Sequence, residues 1–169
     1  MTAGLIIAVD AMSGDHGAEV AVPAALDVLA VTPDLHLVLV GRGDVVRPLV
    51  GEPLPARCSL VEASEVVGMD ERPQDALRRK KDSSMRVAVN LVKKGEARAC
   101  VSAGNTGALL ATARFVLGMI PGIDRPAIVS AVPAAHGHTV MLDLGANPDC
   151  SAENLVQFAV MGSAIATDL

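Results

Sequence analysis

This 169-residue chain has almost no aromatic side chains: two Phe, no Trp and no Tyr. That removes the stacking platforms on which single-stranded nucleic acid is held, and it leaves the core to Val, Leu, Ile, Ala and Met. Positive charge is also scarce. Fourteen Lys and Arg stand against nineteen Asp and Glu, a net charge of −5, which argues against a general nucleic-acid binder. The three cysteines, Cys58, Cys100 and Cys150, are widely spaced and form no C-x-x-C pair. Neither a zinc site nor a disulfide framework is expected from them; buried, inert thiols in a reducing cytoplasm fit best. Long hydrophobic runs are missing too. The most apolar long segment, Ala108 to Ile120, is interrupted by Arg114 and is too short to cross a bilayer. The first apolar run, Leu5 to Val9, has no basic stretch before it and ends at Asp10, so it reads as a strand and not as a signal peptide.

What is present is aliphatic and regular. Hydrophobic residues make up 51% of the chain and charged ones 20%, a composition that folds. Short aliphatic runs at Leu5–Val9, Leu35–Val40, Ser59–Val61 and Arg98–Val101 read as strands, and the continuous ones as strands buried on both faces. Helical patterns fall between them. One lies within Glu19 to Ala30, where Pro23 would be comfortable only in the first turn. A short one runs to Val50, with Asp44 as its cap. Another is capped by Asp82, Ser83 or Ser84 and closed by Gly95. Gly107–Leu117 and Glu153–Thr167 complete the set. The stretch from Glu62 to Asp82 is the least regular. Ala127–Val132 and Thr139–Leu142 are separated by a gap short enough for a hairpin; His136 and His138 lie at its tip, where an exposed turn explains them better than a metal. The alternation predicts a single α/β domain over 1–169, a three-layer α/β/α sandwich around a mostly parallel sheet.

Three strand ends stand out. Cys100 to Leu110 passes from an apolar run through Ser102-Ala103-Gly104-Asn105-Thr106-Gly107 directly into a helical pattern. Such a turn leaves backbone N–H groups free at the positive end of a helix, where phosphate or carboxylate binds, and glycines let the backbone come close. The chain opens with a similar passage, Leu5 to Gly17, and repeats it from Thr139 to Cys150. Open α/β sheets bind ligands in the crevice outside the carboxyl ends of their strands.

These residues also carry a family resemblance. Asp10 to Gly17, Arg72-Pro73-Gln74-Asp75-Ala76, Lys81-Asp82-Ser83-Ser84-Met85-Arg86-Val87-Ala88, Val101 to Leu110, Gly122-Ile123-Asp124-Arg125-Pro126-Ala127 and Leu142 to Cys150 resemble, in order, segments of the bacterial phosphate acyltransferases of phospholipid synthesis, the PlsX family. The resemblance implies a fold like those of the isocitrate and isopropylmalate dehydrogenases and the phosphotransacetylases. It implies transfer of a fatty acyl group from acyl-acyl carrier protein to inorganic phosphate, giving acyl phosphate for phosphatidic acid synthesis. It also implies a homodimer in the cytoplasm, peripheral to the inner face of the cell membrane. No cofactor and no metal are expected. Ser13 stands where the family usually has Gly, Ala18 where Pro is common, and Pro148 where a small β-branched residue is more frequent. A Glu-rich, Lys-containing loop and a Gly-Phe-Thr-Gly-like segment expected further on are missing, so the chain reads as the N-terminal part of a longer enzyme, one whose catalysis needs both halves.

The phosphate-binding candidates are Asp10, Gly14, Asp15, Ser83, Ser84, Arg86, Ser102, Gly104, Asn105, Thr106, Gly107, Asp143, Gly145 and Asn147. The catalytic residues are unknown, with His16 and Asn105 as weak candidates. His16 would be a proton shuttle or a phosphate donor, although orienting its own loop suits it better. Asp10 reads as a loop organiser, and an Asx-type turn is at least as good an account of Asp143 and Asn147 as ligand binding. Arg78, Arg79, Lys80 and Lys81 form a dense basic patch on an acidic chain. They are a candidate docking surface for an acidic carrier protein, or simply a solvated face. Two other functions remain open: a phosphotransacetylase-like enzyme using acyl-coenzyme A, and a non-catalytic half that serves only binding or assembly.

Overall fold

The computed structural model describes residues 4–145, 147 and 149–168; Pro148 and the chain end at Leu169 lie outside them. The described residues fall into two compact units, one reaching to Leu117 and one starting at Gly118.

The first unit is built on four parallel strands: β1 (Leu5–Asp10), β2 (Leu35–Gly41), β3 (Cys58–Glu62) and β4 (Ala99–Ser102). Their order is β3-β2-β1-β4, with Leu5 opposite Leu35 and Asp10 opposite Ser102. Helices α1 (Ala18–Val31) and α2 (Gly43–Val50) follow β1 and β2, while α3 (Pro73–Arg79), α4 (Ser84–Lys94) and α5 (Thr106–Leu117) come later. Successive strand residues point to opposite faces, and the two cores follow that alternation. Ile7, Val9, Leu35, Leu37 and Leu39 pack with Val22 and Leu29 of α1 and Val46 of α2. Ile6, Ala8, Val38 and Val40 pack with Ala88 and Leu91 of α4. The result is the expected layering of helix, parallel sheet and helix.

The helix ends correct the sequence reading in places. Pro23 sits inside α1, not in its first turn. The helix begins at Ala18, earlier than the polar pattern suggests, and Pro23 is exposed, so the carbonyl four residues before it can turn to water. Asp44 does not cap α2. Its carboxylate pairs with Arg42 at 2.6 Å, which holds it below the usual carboxylate range through that hydrogen bond. The first amide of α2, on Gly43, is taken instead by the Glu62 carboxylate at 2.8 Å. Ser83 does cap α4, its Oγ accepting from the Arg86 N–H at 3.4 Å, and Gly95 closes the helix at φ 75°, a left-handed position that suits glycine. The irregular stretch from Glu62 to Asp82 contains α3, which starts with Pro73 at its first position, where proline is favoured.

The second unit holds β5 (Val129–Pro133), β6 (His138–Leu142) and α6 (Ala152–Asp168). The strands form the expected antiparallel hairpin, Val129 opposite Leu142, and α6 packs on β6. Ser151 and Asn154 bond reciprocally at 3.2 Å before α6, a capping box in all but residue choice.

Candidate functional site

The first unit has one topological switch point. From β1 the chain goes to β2 on one side, whereas β4 lies on the other. The helix after β1 packs on one face of the sheet. The helix after β4 packs on the other, against α3 and α4. The β1–α1 and β4–α5 loops therefore part company and leave a crevice between them, the place where open parallel sheets hold ligands.

The crevice is knit from below by Asp10, which is 1% exposed. Its carboxylate accepts from the Ser102 hydroxyl at 2.7 Å and from the Met12 N–H at 3.4 Å. The Ser102 oxygen in turn accepts from the Gly104 N–H at 3.2 Å. Asp10 is thus a loop organiser, and the Ser102 hydroxyl is spent inside the protein. Cys100 stands nearby in β4. Burial and the Asp10 charge both push its thiol up, away from the nucleophilic thiolate.

The two loops touch. A Cβ on Gly104 would lie 2.6 Å from Ser13 Cβ and 3.0 Å from Met85 Cε, and one on Gly14 would lie 3.2 Å from Ala103 Cβ. Gly14 has φ 101°, which is why glycine is needed there. Ser13 is 2% exposed and does not take the positive φ that its replacement of Gly in the family pattern threatens. Its Oγ, like that of Ser84, is buried and without a hydrogen-bond partner among the described residues. A buried hydroxyl in that state is costly and calls for a ligand or water. In sequence Ser13 is only a departure from the family pattern; its significance depends on packing against Gly104, which no local pattern encodes.

Gly104→Ala is accordingly expected to destabilise the protein by about 1–3 kcal/mol through overpacking. A urea midpoint that falls for Gly104→Ala, and recovers when Ser13→Gly is added, checks it.

Other candidates turn out to be occupied. Asn105 spends its whole side chain: Nδ2 donates to the carbonyls of Gly68, Met69 and Glu71 at 3.3, 2.8 and 2.9 Å, and Oδ1 accepts from the Ala108 N–H at 2.9 Å. It caps α5 and pins the segment before α3. Arg86 sends Nη1 to the Leu77 carbonyl at 2.9 Å and stacks on Phe115 at 5.2 Å. Ser83 Oγ donates to the Lys80 carbonyl at 3.0 Å. Gly107 passes close to Pro73, 3.0 Å from where a Cβ would stand. Thr106, Asp15 and His16 are exposed, the last two on the rim of the crevice.

Asp143, Gly145 and Asn147 follow β6, which pairs only with β5 in the second unit, so they do not end a strand of the parallel sheet. Asp143 takes φ 61°. Its carboxylate accepts from Asn147 N and Nδ2 at 3.2 and 2.9 Å, while the Asn147 amide also donates to the Pro126 carbonyl at 3.0 Å. The carboxylate bonds the backbone four residues on, where an Asx-turn would bond it two residues on, so side chains close this loop but in a wider turn than the Asx type. The Cys150 thiol, 3.1 Å from the Asn147 carbonyl, is pushed up by burial and by Asp143.

In the basic patch, Arg78, Arg79 and Lys81 are exposed but Lys80 is half-buried. Lys80 pairs with Glu71 at 2.5 Å and reaches the Val66 carbonyl at 2.6 Å, and it holds the Glu71 carboxyl below the usual range. Lys80 is a structural tie. The exposed positive charge comes from the other three, with Arg79 3.9 Å from the Asp75 carboxylate one turn back. No helix among the described residues is long and apolar enough to cross a membrane.

The sequence matches the family described as "Fatty acid synthesis protein" over residues 5–169. It is 59% identical over 168 residues to a phosphate acyltransferase from Pseudomonas putida, covering 97% of this chain and 50% of that protein. It is 62% identical over 159 residues to one from Methylococcus capsulatus, covering 92% and 47%. Among solved structures, a phosphotransacetylase from Streptococcus pyogenes has a similar fold at 20% identity, with a TM-score of 0.67 over 95% of this chain and 53% of that one. A branched-chain phosphotransacylase from Enterococcus faecalis matches at 17% identity and a TM-score of 0.55. The chain spans about half the length of the relatives it matches.

Proposed function

Since the chain belongs to the fatty acid synthesis protein family, we propose that it supplies the phosphate-holding crevice of a phosphate acyltransferase. In this reading inorganic phosphate attacks the thioester carbonyl of an acyl-acyl carrier protein. A C–O bond to phosphate forms, the C–S bond breaks, and the carrier leaves as a thiolate that takes up a proton. The product is an acyl phosphate, on the route to phosphatidic acid. A thiolate is a good leaving group, so the protein's task is to position phosphate and to stabilise charge on the carbonyl oxygen. The observation that carries the reading is the buried, partnerless Ser13 hydroxyl between two glycine-bearing loops at the switch point. Gly14 and Gly104 let the two loops close on one another and Gly107 lets α5 approach Pro73, while Asp10 and Ser102 fix the loops.

The test is acyl phosphate formation from palmitoyl-acyl carrier protein and phosphate, read as the hydroxamate or by mass spectrometry, with palmitoyl-coenzyme A in parallel. Phosphate binding is followed by calorimetry. The expected result is phosphate binding that weakens on the order of tenfold in Ser13→Ala, the worth of one hydrogen bond to an anion. Product from the carrier-protein substrate would place the full reaction on this chain. Binding without product assigns the chemistry to both halves together. No phosphate binding would sink the proposal.

We further propose that Arg78, Arg79 and Lys81 receive the acidic carrier protein. Reversing Arg79 and Lys81 to Glu is expected to weaken carrier binding roughly tenfold at low salt, and less at high salt, because exposed charges are screened within about 10 Å at 0.1 M. Equal binding at low salt would leave these residues as a solvated face.

A further inference from the structure

Helix α3 carries Arg78 and Arg79 and is poorly equipped to hold them still. It has seven residues, of which only Ala76 is buried, in a cluster with Val67, Met85 and Ala108. So short a helix is marginal on its own, and the carbonyls of its last turn have no helical N–H to accept from. Left to itself, the end that bears the two arginines would fray.

Side chains at the start of α4 supply the missing donors. The Ala76 carbonyl is taken by the Lys80 N–H at 3.0 Å. The next carbonyl, on Leu77, accepts from Arg86 Nη1 at 2.9 Å, and that of Lys80 accepts from Ser83 Oγ at 3.0 Å. Arg78 and Arg79 are therefore bracketed by two carbonyls, each clamped from α4. A cation at this position also meets the negative end of the α3 dipole. Arg86 is itself held at both ends. Its N–H donates to Ser83 Oγ at 3.4 Å, and its guanidinium lies 5.2 Å from the centre of the Phe115 ring on α5, an attractive arrangement. One half-buried arginine thus joins α3, α4 and α5, while Arg78 and Arg79 next to its anchor point stay exposed.

We propose that Arg86 is a positioning residue for the acidic carrier protein: through the Leu77 carbonyl it fixes the end of α3 that presents Arg78 and Arg79. The inference rests on the docking reading given above. Arginines on a frayed helix end must be ordered, backbone and side chain together, when a partner arrives, and that ordering weakens association. On a clamped end the backbone share is settled during folding. Arg86 is thereby assigned to the carrier and not to phosphate, for which its position in sequence makes it a candidate.

The test is calorimetric binding of palmitoyl-acyl carrier protein at low salt without phosphate, beside binding of inorganic phosphate alone, with far-ultraviolet circular dichroism to check the fold. Arg86→Met keeps the length of the side chain and loses its donors. It is expected to weaken carrier binding about fivefold, the worth of one net hydrogen bond, and to leave phosphate affinity unchanged. Phe115→Ala removes a ring that is 64% exposed, so the fold should survive it; freed from its stack, Arg86 should hold α3 less well, and carrier binding should fall about twofold. In the background Arg78→Gln/Arg79→Gln the held pair is gone, and Arg86→Met should then change carrier binding by less than about twofold, the mark of residues that act as a unit. An equal fivefold loss in both backgrounds would overturn the proposal, because Arg86 would be acting through its own charge. Carrier binding like the parent's in both Arg86→Met and Phe115→Ala would overturn it as well. So would a loss of phosphate affinity in Arg86→Met with carrier binding kept, which would make Arg86 a phosphate ligand. If Arg78→Gln/Arg79→Gln alone binds the carrier like the parent, the docking reading itself falls, and this inference with it.

Discussion

Replacing Asn105 by Ala is expected to cost about 3 kcal/mol of stability, from a helix cap worth about 1 kcal/mol and donors to carbonyls worth about 1 kcal/mol each. The side chain joins the start of α5 to the carbonyls of Gly68, Met69 and Glu71. Its loss frees both the helix end and the segment leading to α3. Out of a total of roughly 5–15 kcal/mol for a domain, that is a large share. Urea unfolding measures it. Asn105→Asp separates the two roles: the carboxylate still accepts from Ala108 but has nothing to donate and repels the carbonyls. A stability loss close to that of Ala would assign most of the energy to the pinning of residues 68–71. A near-native midpoint for Asn105→Ala would show that the bonds contribute little. Phosphate binding by the Ala variant should weaken in step with α5's first turn, without Asn105 touching the anion.

Arg57→Ala is expected to cost a similar amount, about 3 kcal/mol, because three charge-assisted bonds of this type disappear at once. Its guanidinium donates to the carbonyls of Leu29, Thr32 and Leu35 at 2.8, 2.6 and 2.8 Å. Those carbonyls end α1 and begin β2, so one fixed positive group both closes a helix at its negative end and ties it to the sheet. Arg57→Lys should recover only part of the loss, since a single ammonium does not reproduce the planar fork. Thermal unfolding of the two variants decides it: a Lys variant equal to the parent would mean that charge alone matters. Glu62, Arg57 and Asn105 share a lesson. Each ties together segments far apart in sequence, Glu62 and Arg57 at a distant helix end and Asn105 from its own helix cap to residues 68–71, and no local pattern announces the distant partner.

That lesson marks what was legible. Strands appear wherever aliphatic residues run unbroken, and β1, β2 and β4 lie within a residue or so of their sequence positions; the expected burial on both faces holds for β2 but not for β1 and β4, where Leu5 is 49% and Val101 57% exposed. The hairpin of β5 and β6 and the Ser83 and Gly95 caps were equally readable from local chemistry. The short α3 was not. Its charged sequence has no apolar stripe, and only Ala76 is buried. Pro23 misled because a proline exposed to water is tolerated where a buried one would not be. At the site, the glycines and Asp10 could be located as a loop ending a strand. Which side chains were free could not: Asn105 and Arg86 look like phosphate ligands in sequence and Lys80 like a docking charge, and all three prove to be committed within the protein. Ser13 looks like a minor departure and holds one of two buried hydroxyls, with Ser84, that lack a partner among the described residues.

The bond between Asp10 and Ser102 joins residues 92 positions apart, and this sets an order of events. Strands β1, β2 and β3 and helices α1 and α2 can assemble from the first sixty or so residues, through crossovers of modest length. The crevice cannot. It exists only after β4 has come to the free edge of β1, closing the longest loop in the sheet, and contacts of such separation form slowly. During synthesis β1 therefore waits with one edge unpaired, exposed to any competing strand. The crevice is the last part of the sheet to be made, so its presence in a folding experiment reports completion of the first unit more faithfully than helix content does.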